Sequence, residues 1–257
     1  MGWAIDLDGV MWLGDEPIAG SATAIGWLRE AGIAVLFVTN NSSAPVTEVE
    51  EKLAAMGVEA PGSVVTSAMA GATLVRPGER AFVCAGPGVA EALHDRGVVV
   101  VDDPAAPGAT DVDAVVVGFT RAFDFDRLSA ATLAVRNGAR LIGTNDDATY
   151  PTPDGQLPGG GAILAAVVTA SGVQPVVAGK PHDPMVELVR RRLGADGTMV
   201  GDRPETDGRF AVALGYRFGL VHTGVTGSEV QRIDPVPELV GADLAALVER
   251  ALGEARV

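Results

Sequence analysis

The chain has 257 residues, 47% hydrophobic and 20% charged, with a formal net charge of −14 at pH 7. That length and composition suit one large core, or a core that carries an inserted domain. The charge argues against nucleic acid, whose phosphates would be repelled, and no apolar run reaches the ~18 residues of a membrane span.

The N-terminal stretch Met1 to Asp6 has no basic segment followed by an apolar one, so no secretory leader is expected and a cytoplasmic location is implied. The single cysteine, Cys84, rules out an internal disulfide and reads as a buried strand residue in Ala81-Phe82-Val83-Cys84. Only two lysines are present, Lys52 and Lys180. An anionic substrate therefore needs a local cation or a metal to overcome the general field.

Apolar strand-like runs alternate with amphipathic stretches. Trp3-Ala4-Ile5 is a short strand that leads into Asp6. A helix is expected over 21–31, ending at Gly32, followed by the continuous apolar run Ile33 to Val38. Such a run suits a central parallel strand covered on both faces. A second helix is expected over 47–56. After the joint at Arg76-Pro77-Gly78 the alternation restarts: strand 81–85, helix 90–95, strands 98–101 and 114–117, helix 125–137 and strand 140–142. The stretch 151–161, rich in Gly and Pro, reads as a loop, and an apolar helix follows near 162–171. A helix runs from Pro184 to Leu193. The remainder offers strand 199–200, helix 209–214, strand 218–221 and an amphipathic helix over 243–252. Strand, helix, strand in this order implies a parallel sheet with right-handed crossovers.

Four short segments stand at the carboxyl ends of expected strands, where open α/β sheets bind ligands. In Asp6-Leu7-Asp8-Gly9, two carboxylates project to one side of an extended backbone. Their like charges call for a cation between them or a retained proton, and Mg²⁺ needs few protein ligands. Alone, such a pair is equally a pair of solvated loop residues. Thr39-Asn40-Asn41-Ser42 offers hydroxyl, amide and backbone N–H groups that can hold phosphate oxygens, or forms a plain polar turn. Ala178-Gly179-Lys180-Pro181 fixes an isolated lysine that could neutralise a phosphoryl group, or stays at the surface. In Gly201-Asp202-Arg203-Pro204-Glu205-Thr206-Asp207, the loop is long enough to return Asp207 beside Asp202, while Asp207 also suits a helix cap.

The joint occurrence of these four segments, in this order, resembles the haloacid dehalogenase superfamily of phosphohydrolases. Gly143-Thr144-Asn145-Asp146-Asp147, Leu157-Pro158-Gly159-Gly160-Gly161 and the Lys180 segment are similar to its NagD-like subfamily. The resemblance covers essentially the whole chain. It implies an α/β fold, with a Rossmann-like parallel-sheet core from residues 1–78 and 179–257 and a large α/β cap inserted over 79–178. It implies Asp6 as nucleophile and Asp8 as general acid and base. It implies Mg²⁺ on Asp6, Asp202 and the backbone carbonyl of Asp8, with Asp207 ordering a metal-bound water or Lys180. Thr39, Asn40, Asn41 and Lys180 would bind phosphoryl oxygens. Asn145 and Asp147 either face the substrate or only order the cap loop.

The expected activity is that of a Mg²⁺-dependent phosphomonoesterase of small phosphorylated metabolites. A phosphotransferase or mutase on the same fold, and a non-catalytic metabolite-binding protein, are the alternatives. Dimerisation through the cap is compatible with the resemblance. Two departures stand out. Ser43-Ala44-Pro45 replaces an expected basic residue, and Gly208 replaces a branched apolar one. The first leaves open how the substrate beyond its phosphate is held.

Overall fold

A computed structural model describes residues 2–152, 155–230 and 232–254. The first elements are β1 (Gly2–Ile5), β2 (Trp12–Leu13), β3 (Glu16–Pro17), α1 (Ser21–Glu30), β4 (Ala34–Thr39), α2 (Val46–Ala55), β5 (Val64–Thr66) and α3 (Ser67–Ala72). Next come β6 (Arg80–Cys84), α4 (Pro87–His94), β7 (Val99–Val101), β8 (Ala114–Val117), α5 (Phe125–Arg136), β9 (Arg140–Gly143), β10 (Thr149–Thr152), β11 (Gly155–Pro158), α6 (Gly160–Ser171) and β12 (Val176–Val177). The chain continues through α7 (Asp183–Leu193), β13 (Gly197–Gly201), a π-helical turn (Pro204–Gly208), α8 (Arg209–Leu214), β14 (Arg217–Val221), β15 (Leu239–Gly241) and α9 (Leu244–Glu254). No helix among the described residues is long and apolar enough to cross a membrane.

The chain divides into two compact units. The first comprises residues 1–39, 49–65 and 180–257, and the second 40–48 and 66–179. In the first, a six-stranded sheet runs β15-β14-β13-β1-β4-β5. β1 pairs in parallel with β13 on one side and β4 on the other, with Ile5 opposite Val200 and Phe37. Ile5, Phe37, Val38, Met199, Val200 and Leu220 are all fully buried. This is the two-faced covering that the apolar runs anticipate. Because β1 lies between strands reached by opposite directions of winding, its carboxyl end is the topological switch point of the sheet.

The second unit holds the parallel sheet β12-β9-β8-β6-β7 and the hairpin β10-β11. One face of the larger sheet packs Phe82, Val115, Val117 and Leu141 against Ala131, Ala134, Leu164 and Val167 of α5 and α6. The other packs Ala81, Val83, Ala114 and Val116 against Ala68, Ala72, Val89 and Leu93 of α3 and α4. The residues preceding Pro77-Gly78 therefore belong to this core through α3. Cys84 is buried in it, and burial pushes its thiol up to about 11. The hairpin β10-β11 occupies part of the stretch that sequence reads as a loop. Its residues 153 and 154 lie outside the described residues.

Candidate active site

Asp6 follows directly on β1, and its N–H continues the strand pairing by donating to the Val200 carbonyl at 2.9 Å. Asp202 follows β13, and Thr39 ends β4, so register places all three at one edge of the sheet. The π-helical turn after Asp202 folds the chain back, with Asp207 N–H donating to the Arg203 carbonyl at 2.7 Å. Asp207 thereby lies against Gly201, where any Cβ would collide with its carboxyl group. Asp6, Asp202 and Asp207 are each buried, and one carboxylate oxygen from each lies within 4.8 Å of the others.

Lys180 enters this cluster from the segment that precedes α7. It is 2% exposed, and its Nζ donates to Oδ1 of Asp6 and Oδ1 of Asp207, each at 2.7 Å. A buried ammonium is tolerated only when paired in this way. The two carboxylates hold the Lys180 ammonium in its charged form, raising its pKa against the effect of burial. Asp207 uses its second oxygen to accept from the Arg203 N–H at 3.1 Å.

The Asp6 carboxyl is pushed up, first by burial and then by Asp207 and Asp202, with Lys180 opposing. Burial, followed by Asp207, raises Asp202 to about 6. Its Oδ2 accepts from the Val225 N–H at 2.6 Å, whereas its Oδ1 is buried with no hydrogen-bond partner. Three carboxylates crowded around one lysine, one of them with an orphaned oxygen, fit a hard divalent cation, which prefers oxygen ligands. Gly9 and Gly224 flank Asp202. Gly9 has a φ of +83°, and a Cβ there would meet Asp202 Oδ2 at 2.6 Å, so the loop after β1 can pass only without a side chain.

Asp8 is exposed and stands outside the three-carboxylate group. Its Oδ1 accepts the indole N–H of Trp12 at 3.0 Å. Sequence reading did not single out Trp12. The only available signal was an aromatic residue four positions beyond the second Asp.

The other expected residues lie in the second unit. There the Asn40 side-chain amide donates to Asp147 Oδ2 at 3.0 Å, and the Asn40 carbonyl accepts from the Asn145 amide at 2.9 Å and from the Ser67 hydroxyl at 2.6 Å. Asn145 Oδ1 in turn accepts from the Asp147 N–H at 3.2 Å. Gly179 lies close enough that a Cβ would meet Asn40 Oδ1 at 2.5 Å. Asn145 and Asp147 thus order their own loop and grip Asn40. Asn41 accepts from the Ser43 N–H at 2.9 Å, a local turn of the kind short polar side chains favour.

Three carboxylates and a buried lysine are thus gathered at the switch point of a parallel sheet. Two family models match, described as haloacid dehalogenase-like hydrolase over residues 3–99 and HAD-hydrolase-like over 177–247. The chain belongs to this family, in its NagD-like branch, and is a phosphatase. It is 40% identical over 242 residues to an acid sugar phosphatase of Staphylococcus saprophyticus, covering 91% of each chain. It is 37% identical to the 5′-nucleotidase YutF of Bacillus subtilis, covering 89% of each. Among solved structures, a p-nitrophenyl phosphatase from Archaeoglobus fulgidus superposes with a TM-score of 0.89 at 30% identity, over 97% of this chain and 98% of that one. The glycerol phosphate phosphatase Rv1692 of Mycobacterium tuberculosis, solved with magnesium and also with calcium, gives 0.85 at 34% identity. The magnesium form is matched over 96% of this chain and 76% of that one.

Proposed function

We propose that the chain is a Mg²⁺-dependent phosphomonoesterase of small phosphorylated metabolites, working through an aspartyl phosphate on Asp6. The observation that carries this reading is Lys180 held between Asp6 and Asp207 beside the orphaned oxygen of Asp202. Asp6, Asp202 and the Asp8 backbone carbonyl would hold the cation. When bound, it supplies positive charge against the phosphoryl oxygens.

Asp6 attacks phosphorus, so that an Asp6 oxygen–phosphorus bond forms as the ester P–O bond breaks. Asp8 gives its proton to the departing ester oxygen, releasing the alcohol. Water then attacks phosphorus, breaking the Asp6 oxygen–phosphorus bond, and yields a proton to Asp8. Inorganic phosphate leaves, and both carboxyl groups return to their starting states. Lys180 neutralises negative charge on the phosphoryl group, and Asp207 keeps the ammonium in place. Thr39 serves the phosphoryl oxygens, while the hydrogen bonds of Asn145 and Asp147 support an ordering role for those two residues.

The names of the relatives supply the substrate panel: p-nitrophenyl phosphate, glycerol phosphate, sugar phosphates and 5′-nucleotides, each with Mg²⁺ and with chelator. Phosphate release that needs Mg²⁺ and disappears in Asp6→Asn is the expected result. Turnover by that variant at the wild-type rate would sink the mechanism.

A further inference from the structure

The Asp8 carboxylate is exposed, so packing does not fix its orientation. An acid that must meet a leaving oxygen at hydrogen-bond distance gains from a fixed carboxyl plane. Trp12 provides a hold on that plane. Its backbone bends back over the aspartate, with Gly9 N–H donating to the Trp12 carbonyl at 2.7 Å and Trp12 N–H to the Leu7 carbonyl at 3.3 Å. The residue is 4% exposed, and its indole N–H points at Asp8 Oδ1.

Trp12 is itself held. Lys52 of α2 places its ammonium 4.4 Å from the centre of the Trp12 ring. The same ammonium donates to the Gly14 carbonyl at 2.7 Å and lies 3.6 Å from Asp15 Oδ1. One cation thus touches three points of the β2-β3 hairpin: its ring, its turn carbonyl and its turn carboxylate. Two-residue strands have little cohesion of their own. A cation over an indole face adds attraction that sequence-local contacts do not supply.

We propose that Trp12 is a positioning residue for the acid/base step, orienting Asp8 through its indole N–H, and that Lys52 clamps Trp12 in that pose. With Oδ1 taken by the indole, Asp8 Oδ2 is the oxygen that passes the proton to the leaving group and recovers it from water. The inference rests on the Asp6–Asp8 mechanism.

The test compares kcat/KM for glycerol phosphate, whose alkoxide leaving group needs a proton, with p-nitrophenyl phosphate, whose leaving group hardly does. Trp12→Phe keeps an aromatic face, smaller than the indole, and removes the donor. It should lower kcat/KM about tenfold or more on glycerol phosphate and much less on the nitrophenyl ester. Lys52→Met should shift the same ratio by about threefold, and Lys52→Arg should restore it. Trp27→Phe, on the half-exposed face of α1, should leave the ratio unchanged. Equal slowing of both esters in Trp12→Phe, or no slowing, overturns the inference, as does an unchanged ratio in Lys52→Met should Trp12→Phe not fold. Asp8→Asn separates the two readings. If that variant hydrolyses glycerol phosphate at the wild-type rate, the acid/base assignment itself fails. If it is inactive while Trp12→Phe keeps the wild-type ratio, only the positioning role fails.

Discussion

Asp207 holds Lys180 with one carboxylate oxygen and the backbone of Arg203 with the other. The two bonds make it the fixed end of a chain that runs from the π-helical turn through the ammonium to Asp6. Its charge has two opposed effects: it attracts Lys180, and it repels Asp6 and Asp202, whose carboxyl groups it helps to raise.

That opposition separates stability from activity. Asp207→Asn loses an attraction and two repulsions together, and its amide turns a donor toward either Lys180 or the Arg203 N–H, so folding stability should fall by about 1–3 kcal/mol. On the proposed mechanism, activity on p-nitrophenyl phosphate should fall by about 10²-fold, because Lys180 would no longer be held beside Asp6. Lys180→Met differs in size. It leaves three buried carboxylates without a cation and should cost about 3–5 kcal/mol in urea unfolding without metal. A large stability loss in Asp207→Asn would show that attraction to Lys180 outweighs the two repulsions.

Gly224 presses on the other side of the cluster. A Cβ there would fall on Oδ2 of Asp202, the oxygen that accepts from Val225. Gly224→Ala should therefore turn the carboxylate and raise the Mg²⁺ concentration for half-maximal activity by about tenfold or more. Titration of activity against Mg²⁺ checks this, and an unchanged requirement refutes it.

Asp202 contributes to the pH dependence in the same sense as Asp6, since both carboxyl groups are raised. The folded Asp202 pKa of about 6 lies above the ordinary carboxyl value of 3.8, so the folded state binds the extra proton. Without metal, this group is harmless at low pH and destabilises the fold as pH rises through 4 to 6. The loss levels off once pH passes the folded value and both states have released the proton. A cation bound beside the carboxylate offsets the loss. The melting temperature with chelator should therefore fall relative to that with Mg²⁺ as pH rises from about 4.5 to 7.5. The gap should narrow in Asp202→Asn. A gap independent of pH would contradict the assignment of Asp202 to the cation.

Much of the fold was legible because the apolar runs are long and clean. The expected helices over 21–31 and 125–137 meet α1 and α5 to within a residue. Asp6 and Asp202 stood out because each follows a strand, Lys180 because it sits between Gly and Pro, and Asp207 because the loop after Asp202 is long enough to return it; those local signals survive without knowledge of the fold. The β2-β3 hairpin did not, since two-residue strands carry no periodicity. The bonds from Asn40 to Asn145 and Asp147 span more than a hundred residues, and nothing in either segment names the other. Trp12 looked like one more apolar residue, because an indole N–H and an indole face are invisible to a hydrophobicity pattern.

Of the two lysines, Lys180 is sealed inside the acidic cluster, while about a third of the Lys52 side chain meets solvent. To an amine-acylating reagent the folded chain therefore presents a single accessible side chain, and it is the one that grips Trp12. Among side chains, covalent labelling or attachment to an amine-reactive support would fall on Lys52, with the α-amino terminus as the competing amine. The side-chain point of attachment would be the hairpin clamp, so a preparation immobilised there would carry its lesion next to Trp12 and Asp8.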